Sequence, residues 1–162
     1  MTKRSLRAAA LAGALPLLLL VACDSSDSPT APPEAAVLAR AAVSVDGQTY
    51  NGGTYHGGGR SGTSTMFEAH LERRDGTPMP GEQVWVEHHK GMMGGGRFRL
   101  YDDGTHGDPI GGDGIYCFED FAGTHGFHHQ HAWHGEHHYD FWGQHDDGSH
   151  SNHRRVTVRV ED

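Results

Sequence analysis

The sequence predicts an all-β protein, an antiparallel β-sandwich of about seven short strands that follows a leader segment and a tether. Three observations carry this prediction. Apolar and polar residues alternate over short runs, the period of a half-buried strand. Turn-forming residues separate the runs. Glycine is so frequent, 24 of 162 residues, that no helical period of ten residues survives after residue 45.

The first element is not part of the sandwich. Lys3, Arg4 and Arg7 precede an apolar run from Ala8 to Ala22 that Pro16 interrupts. The run is too short and too rich in small residues to span a bilayer. It ends Leu20-Val21-Ala22-Cys23, which resembles the lipobox of bacterial lipoprotein signal peptides. The resemblance implies cleavage before Cys23, a thioether lipid on Cys23 and acylation of its amine. Residues 1–22 are then the signal peptide. The alternative is an ordinary signal peptide with an incidental cysteine, or an uncleaved anchor.

Cleavage removes three of the 13 Lys and Arg and none of the 21 Asp and Glu. The mature net charge is therefore −11 with His neutral. Such a chain is no nucleic-acid partner, which would need a basic face. Anionic headgroups repel it as a whole, so the expected contact with the membrane is through the N-terminal lipid. Cys117 is the only other cysteine. With Cys23 acylated, the fold stands without an intramolecular disulfide.

Residues 23–43 form the lipidated cysteine and a tether. Its first part, DSSDSPTAPPEAA, is rich in Ser, Pro and Ala. Residues 37–45, VLARAAVSV, read either as a first strand or as more linker. The sandwich is assigned to residues 44–162. Residues 51–62 are Gly-rich loop. Thr63 to Leu71 alternates, with Phe67, Ala69 and Leu71 on one side. Asp75 to Pro78 is a turn, and Gln83 to His88 alternates about Val84 and Val86. Residues 90–96 read as a Gly/Met loop. Arg97 to Tyr101 alternates about Phe98 and Leu100. Residues 102–114 form an Asp/Gly loop and Ile115 to Phe118 a short strand. His137 to His145 alternates about Tyr139 and Phe141, Asp147-Gly148 turns the chain, and Arg155 to Val160 is the final strand.

Three segments together resemble bacterial immunoglobulin-like domains of surface proteins. The first is Ala69 to Val84, a strand–turn–strand with Asp75-Gly76-Thr77-Pro78-Met79-Pro80-Gly81 at its centre. The second is Leu100 to Tyr116, which carries Asp102-Asp103-Gly104, Gly107-Asp108 and Gly112-Asp113-Gly114. The third is Tyr139-Asp140-Phe141-Trp142 with Asp147-Gly148-Ser149-His150-Ser151, before the last strand. The resemblance spans residues 63–160 and implies an immunoglobulin-like sandwich. The chain departs from the pattern in its many histidines, at Cys117 and over residues 121–135.

Asp102, Asp103, Asp108 and Asp113 fall on one loop. Two readings compete. Clustered carboxylates suit a hard cation, Ca²⁺, which takes six to eight oxygens. The same residues also cap backbone N–H groups in solvated turns.

Histidine is the second excess, 15 residues, eight of them in the segment 125–145. His128, His129, His131, His134, His137 and His138 are candidate ligands for Zn²⁺, Cu²⁺ or Ni²⁺. The competing reading is a neutral polar surface. His137 and His138 point to opposite faces of an extended chain and do not chelate together.

Catalytic signatures are absent. There is no G-x-S-x-G, no P-loop and no H-E-x-x-H. Cys117 reads as a buried inert thiol rather than a nucleophile. Trp85, Trp133 and Trp142 either form an aromatic binding surface or fill the core and rim. The expectation is a non-catalytic, lipid-anchored envelope module on the periplasmic or surface face. Its partner is an envelope or surface protein or a glycan, and calcium its candidate stabiliser. The alternative is an envelope transition-metal binder; a hydrolase with a metal-activated water is the weakest reading.

Overall fold

The alternation seen in the sequence becomes the core. The computed structural model describes residues 35–56, 64–90, 93–121 and 135–161. The leader, Cys23 and the first part of the tether lie outside these residues. So do Trp133 and the histidines at 125, 128, 129, 131 and 134. The described residues are all β, in nine strands: β1 Val37–Val45, β2 Gln48–Tyr50, β3 Gly53–His56, β4 Thr65–Glu72, β5 Gln83–Lys90, β6 Met93–Leu100, β7 Ile115–Asp120, β8 Gly135–Gln144 and β9 Arg154–Glu161.

The strands form two sheets, one of order β2-β1-β4-β7 and one of order β3-β9-β8-β5-β6. Every residue assigned inward by period two is inward. Phe67, Ala69 and Leu71 of β4, Val84 and Val86 of β5, and Tyr139 and Phe141 of β8 are fully buried. Phe98, Leu100, Tyr116 and the three valines of β9 join them in one cluster. Each such side chain contributes about 1.5–3 kcal/mol on leaving water. Phe67 of one sheet meets Phe98 and Tyr139 of the other, with ring centroids 4.8 and 5.1 Å apart.

The structure corrects the strand map in four places. β1 takes in residues 37–43, which the sequence assigned to the tether; it pairs along its length with β4 and buries Leu38, Val43 and Val45. A register shift between Leu38 and Arg40 breaks the period there, which hid the strand. β3 lies inside the segment read as Gly-rich loop. It pairs parallel to β9, so the second sheet is mixed rather than purely antiparallel. β6 begins at Met93, inside the segment read as a Gly/Met loop, and it is paired with β5 from its first residue, Met93 opposite Lys90. β2 is the remaining addition, and nine strands replace about seven.

The turns behave as their residues dictate. Asp75 Oδ1 accepts from Thr77 N, Gly76 N donates to Arg73 O, and Arg73 N donates to Thr77 O. Asp147 caps Ser149 N in the same way between β8 and β9. Ser151 Oγ then accepts from Gly143 N at 2.8 Å and fastens that hairpin.

Candidate functional site

The Asp/Gly loop between β6 and β7 is closed by its own carboxylates. Asp102 accepts from three backbone N–H groups: Gly112 and Asp113 at one oxygen, 2.6 and 3.1 Å, and Gly114 at the other, 3.1 Å. Asp108 is buried and accepts from Gly104 N at 2.8 Å and Ile110 N at 3.1 Å. Asp103 accepts from the amide and hydroxyl of Thr105, which hold its carboxyl below the usual range. Asp113 accepts from Ile115 N at 2.9 Å. These are the bonds of the capping reading. Among the described residues no three His, Cys, Asp or Glu side chains gather as a metal site.

The loop delivers Tyr116 to the core. Its hydroxyl donates to Met79 O at 2.7 Å and accepts from Glu82 N at 3.0 Å. Burial pushes its phenol far up. The next residue, Cys117, is buried too, and desolvation pushes its thiol up to about 12. A thiol so protonated is a poor nucleophile, in line with the inert reading.

The two described candidate histidines part company. His138 faces outward and its Nδ1 lies 2.9 Å from Thr157 Oγ1. His137 is fully buried inside the sandwich. There it meets His88, a residue the sequence reading passed over. His88 Nε2 and His137 Nδ1 are 3.0 Å apart, with the ring planes 13° from parallel and centroids 5.2 Å apart. That separation is a hydrogen bond plus two ring radii, so the rings meet edge to edge and share one proton. Tyr139 stacks on the face of His88 at 4.5 Å. Buried Asp120 adds to desolvation in raising the Tyr139 phenol. Parity was the signal for His88: it lies two residues beyond Val86, as His137 lies two before Tyr139.

The outer face of the five-stranded sheet carries the tryptophans. Trp85 of β5 stands between Arg99 of β6 and Trp142 of β8 as strand partners. The Arg97 guanidinium lies 4.9 Å from the Trp85 ring centre. His153 stacks on Trp142 at 5.3 Å, 10° from parallel. Asp140, beside them, takes two bonds from Arg155 that hold its carboxyl down. Nε1 of both indoles and Nε of Arg99 are buried without a hydrogen-bond partner among the described residues. A buried donor left unpaired costs about 1–3 kcal/mol, and three such donors lie on this one face.

No known protein family matches the chain, and no curated protein is significantly similar to it.

Proposed function

We propose that the chain is a non-catalytic, lipid-anchored, extracytoplasmic module of a bacterial envelope. It binds an envelope protein or glycan through the outer face of its five-stranded sheet. The observation that carries the reading is that face: two tryptophans, two arginines and a histidine, with three buried donors unpaired. Aromatic residues and arginine are the side chains that dominate binding energy at interfaces. A partner rich in acceptors that lifts Arg97 from Trp85 would pair those donors.

Two further observations support the rest of the reading. The sheet orders β1-β4-β7 and β9-β8-β5-β6 follow strands A-B-E and G-F-C-C′ of the immunoglobulin-like fold. Cys23 ends an apolar run that Lys3, Arg4 and Arg7 precede, as in the lipoprotein signal peptides it resembles. The reactive groups of the interior, Cys117, Tyr116 and the histidine pair, are bonded or buried in ways that serve the fold.

Cys23→Ser is expected to move the protein from the membrane to the soluble fraction and to remove an acyl mass from its N-terminus. Retention in membranes, with no acyl chain on the wild type, would refute the anchor. The purified serine variant is expected to rebind isolated envelopes saturably. Trp85→Ala should then weaken that binding about thirtyfold, the effect of truncating an interface hot spot worth about 2 kcal/mol. Equal binding by both proteins would remove the face from the proposal.

The Asp/Gly loop is proposed to hold its shape through carboxylates that accept from its own backbone N–H groups, without a cation. The thermal midpoint is expected to be the same in chelator and in millimolar calcium. A ligand at a hundred times its Kd would add about 2.7 kcal/mol by linkage, so a rise of several degrees would reinstate calcium.

A further inference from the structure

We propose that the cleft on the open side of the sandwich binds a phosphate oxyanion, presented by an anionic lipid headgroup. The cleft measures about 390 Å³, and Arg40, Asn51, Arg154 and Arg155 line it. It lies where both sheets end. β2 pairs with β1 only at Val43–Val45, and β3 pairs with β9 only from Val158 onward. The edges of β1 before Val43 and of β9 before Val158 therefore lack those neighbours, and the cleft opens between them.

Charge makes this cleft unlike its surroundings. From Cys23 onward the chain holds 10 Lys and Arg against 21 Asp and Glu, and three of the ten are among the residues that line this cleft. Neither Arg40 nor Arg154 has a carboxylate partner among the described residues. Arg154 donates Nε to Leu38 O at 2.5 Å, which aims the guanidinium while leaving its terminal nitrogens for another acceptor. The Arg155 guanidinium is already paired with the Asp140 carboxylate by bonds of 2.7 and 2.6 Å, so the anion site rests on Arg40 and Arg154. Guanidinium groups are planar forks of donors that match oxyanions, and an arginine stays charged at every physiological pH. Asn51 completes the polar lining.

The headgroup as source rests on the lipid-anchor reading; the oxyanion chemistry does not. Fourteen positions separate Cys23 from Val37. Even fully extended, that chain reaches at most about 50 Å. An anchor on Cys23 thus keeps the cleft, which begins at Ala39, within reach of the bilayer surface.

The test uses the full chain in three settings: neutral detergent titrated with inorganic phosphate, phosphatidylcholine nanodiscs, and phosphatidylglycerol nanodiscs. The NMR signals of arginine Nε–H are followed. Phosphate is expected to shift Arg40 and Arg154 saturably, and phosphatidylglycerol to shift the same signals relative to phosphatidylcholine. Arg40→Gln, an exposed change, should weaken phosphate binding about tenfold, the loss of one charge-assisted bond. Arg159→Gln, outside the cleft, should not. No shift at tens of millimolar phosphate overturns the site. Parallel shifts of Arg97 and Arg99 overturn it too, as a general salt response. A response to phosphate with identical nanodisc spectra overturns the headgroup source and assigns the site to a soluble phosphate compound. Absence of an acyl chain on Cys23 would sink the anchor reading alone, since the phosphate titration stands without it.

Discussion

Gly114→Ala is expected to be among the most damaging single substitutions in the domain, lowering stability by about 3–5 kcal/mol. Gly114 has φ +80°, a conformation that a side chain disfavours by about 1 kcal/mol or more. A Cβ there would lie 2.8 Å from Pro78 Cβ, 3.0 Å from Met79 N and 3.1 Å from Leu71 O. Two of these neighbours are backbone atoms inside hydrogen bonds: Met79 N donates to Leu71 O, and Leu71 N donates to Gly114 O. Relief of the clash therefore breaks the join between the Pro78 turn and the Asp/Gly loop. Asp102→Ala attacks the same join from the other side. It leaves the N–H groups of Asp113 and Gly114 without their carboxylate acceptor and that of Gly112 with only the carbonyl of residue 102 at 3.3 Å, a loss of about 2–3 kcal/mol at about 1 kcal/mol per bond. Asp102→Asn keeps one acceptor oxygen and should fall between. Urea denaturation measures all three. A Gly114→Ala midpoint within error of wild type would mean that the loop packs otherwise than described.

His137→Leu is expected to cost about 2–3 kcal/mol, near 10 °C in the thermal midpoint for a domain of this size. The substitution preserves volume but leaves the His88 Nε2 that faces it without its 3.0 Å partner in the core. The double variant His88→Leu/His137→Leu replaces both halves of the pair. It should lose less than the two single changes added together, by about 1–2 kcal/mol, because no imidazole then remains to be satisfied. A double-mutant cycle in urea measures the coupling. Strict additivity would mean that the two rings do not bond. Zinc added to the wild type should leave the His137 ring signals unmoved, since its Nδ1 is engaged by His88.

These predictions concern residues that the sequence presented very differently. Gly114 and Asp102 sit in a motif whose spacing was visible, and the turn reading needed only local bonds. The histidine pair was legible by parity, yet a polar residue in a strand is ordinarily read as surface. Here the diagonal across β5 and β8 brings His88 to His137, and the partner sits 49 residues away. Strand β1 is only one of two readings of residues 37–45, because Ala41 and Ala42 carry little alternation and a register shift breaks its period. β3 owes its strand to the edge of β9, and no local pattern encodes a parallel pairing with a strand about a hundred residues on.

By itself, the sequence determined the all-β class, the inward faces of β4, β5, β6 and β8, the turns at Asp75 and Asp147, and the burial of Tyr116 and Cys117. Each depends on period two or on bonds between residues a few positions apart, and both are written locally. The tertiary structure alone decided the parallel edge, the histidine pair and the tryptophan face. It also decided the cleft that gathers Arg40 with Arg154 and Arg155. Those features join segments far apart in the chain, and only the packing of two sheets sets which distant side chains meet.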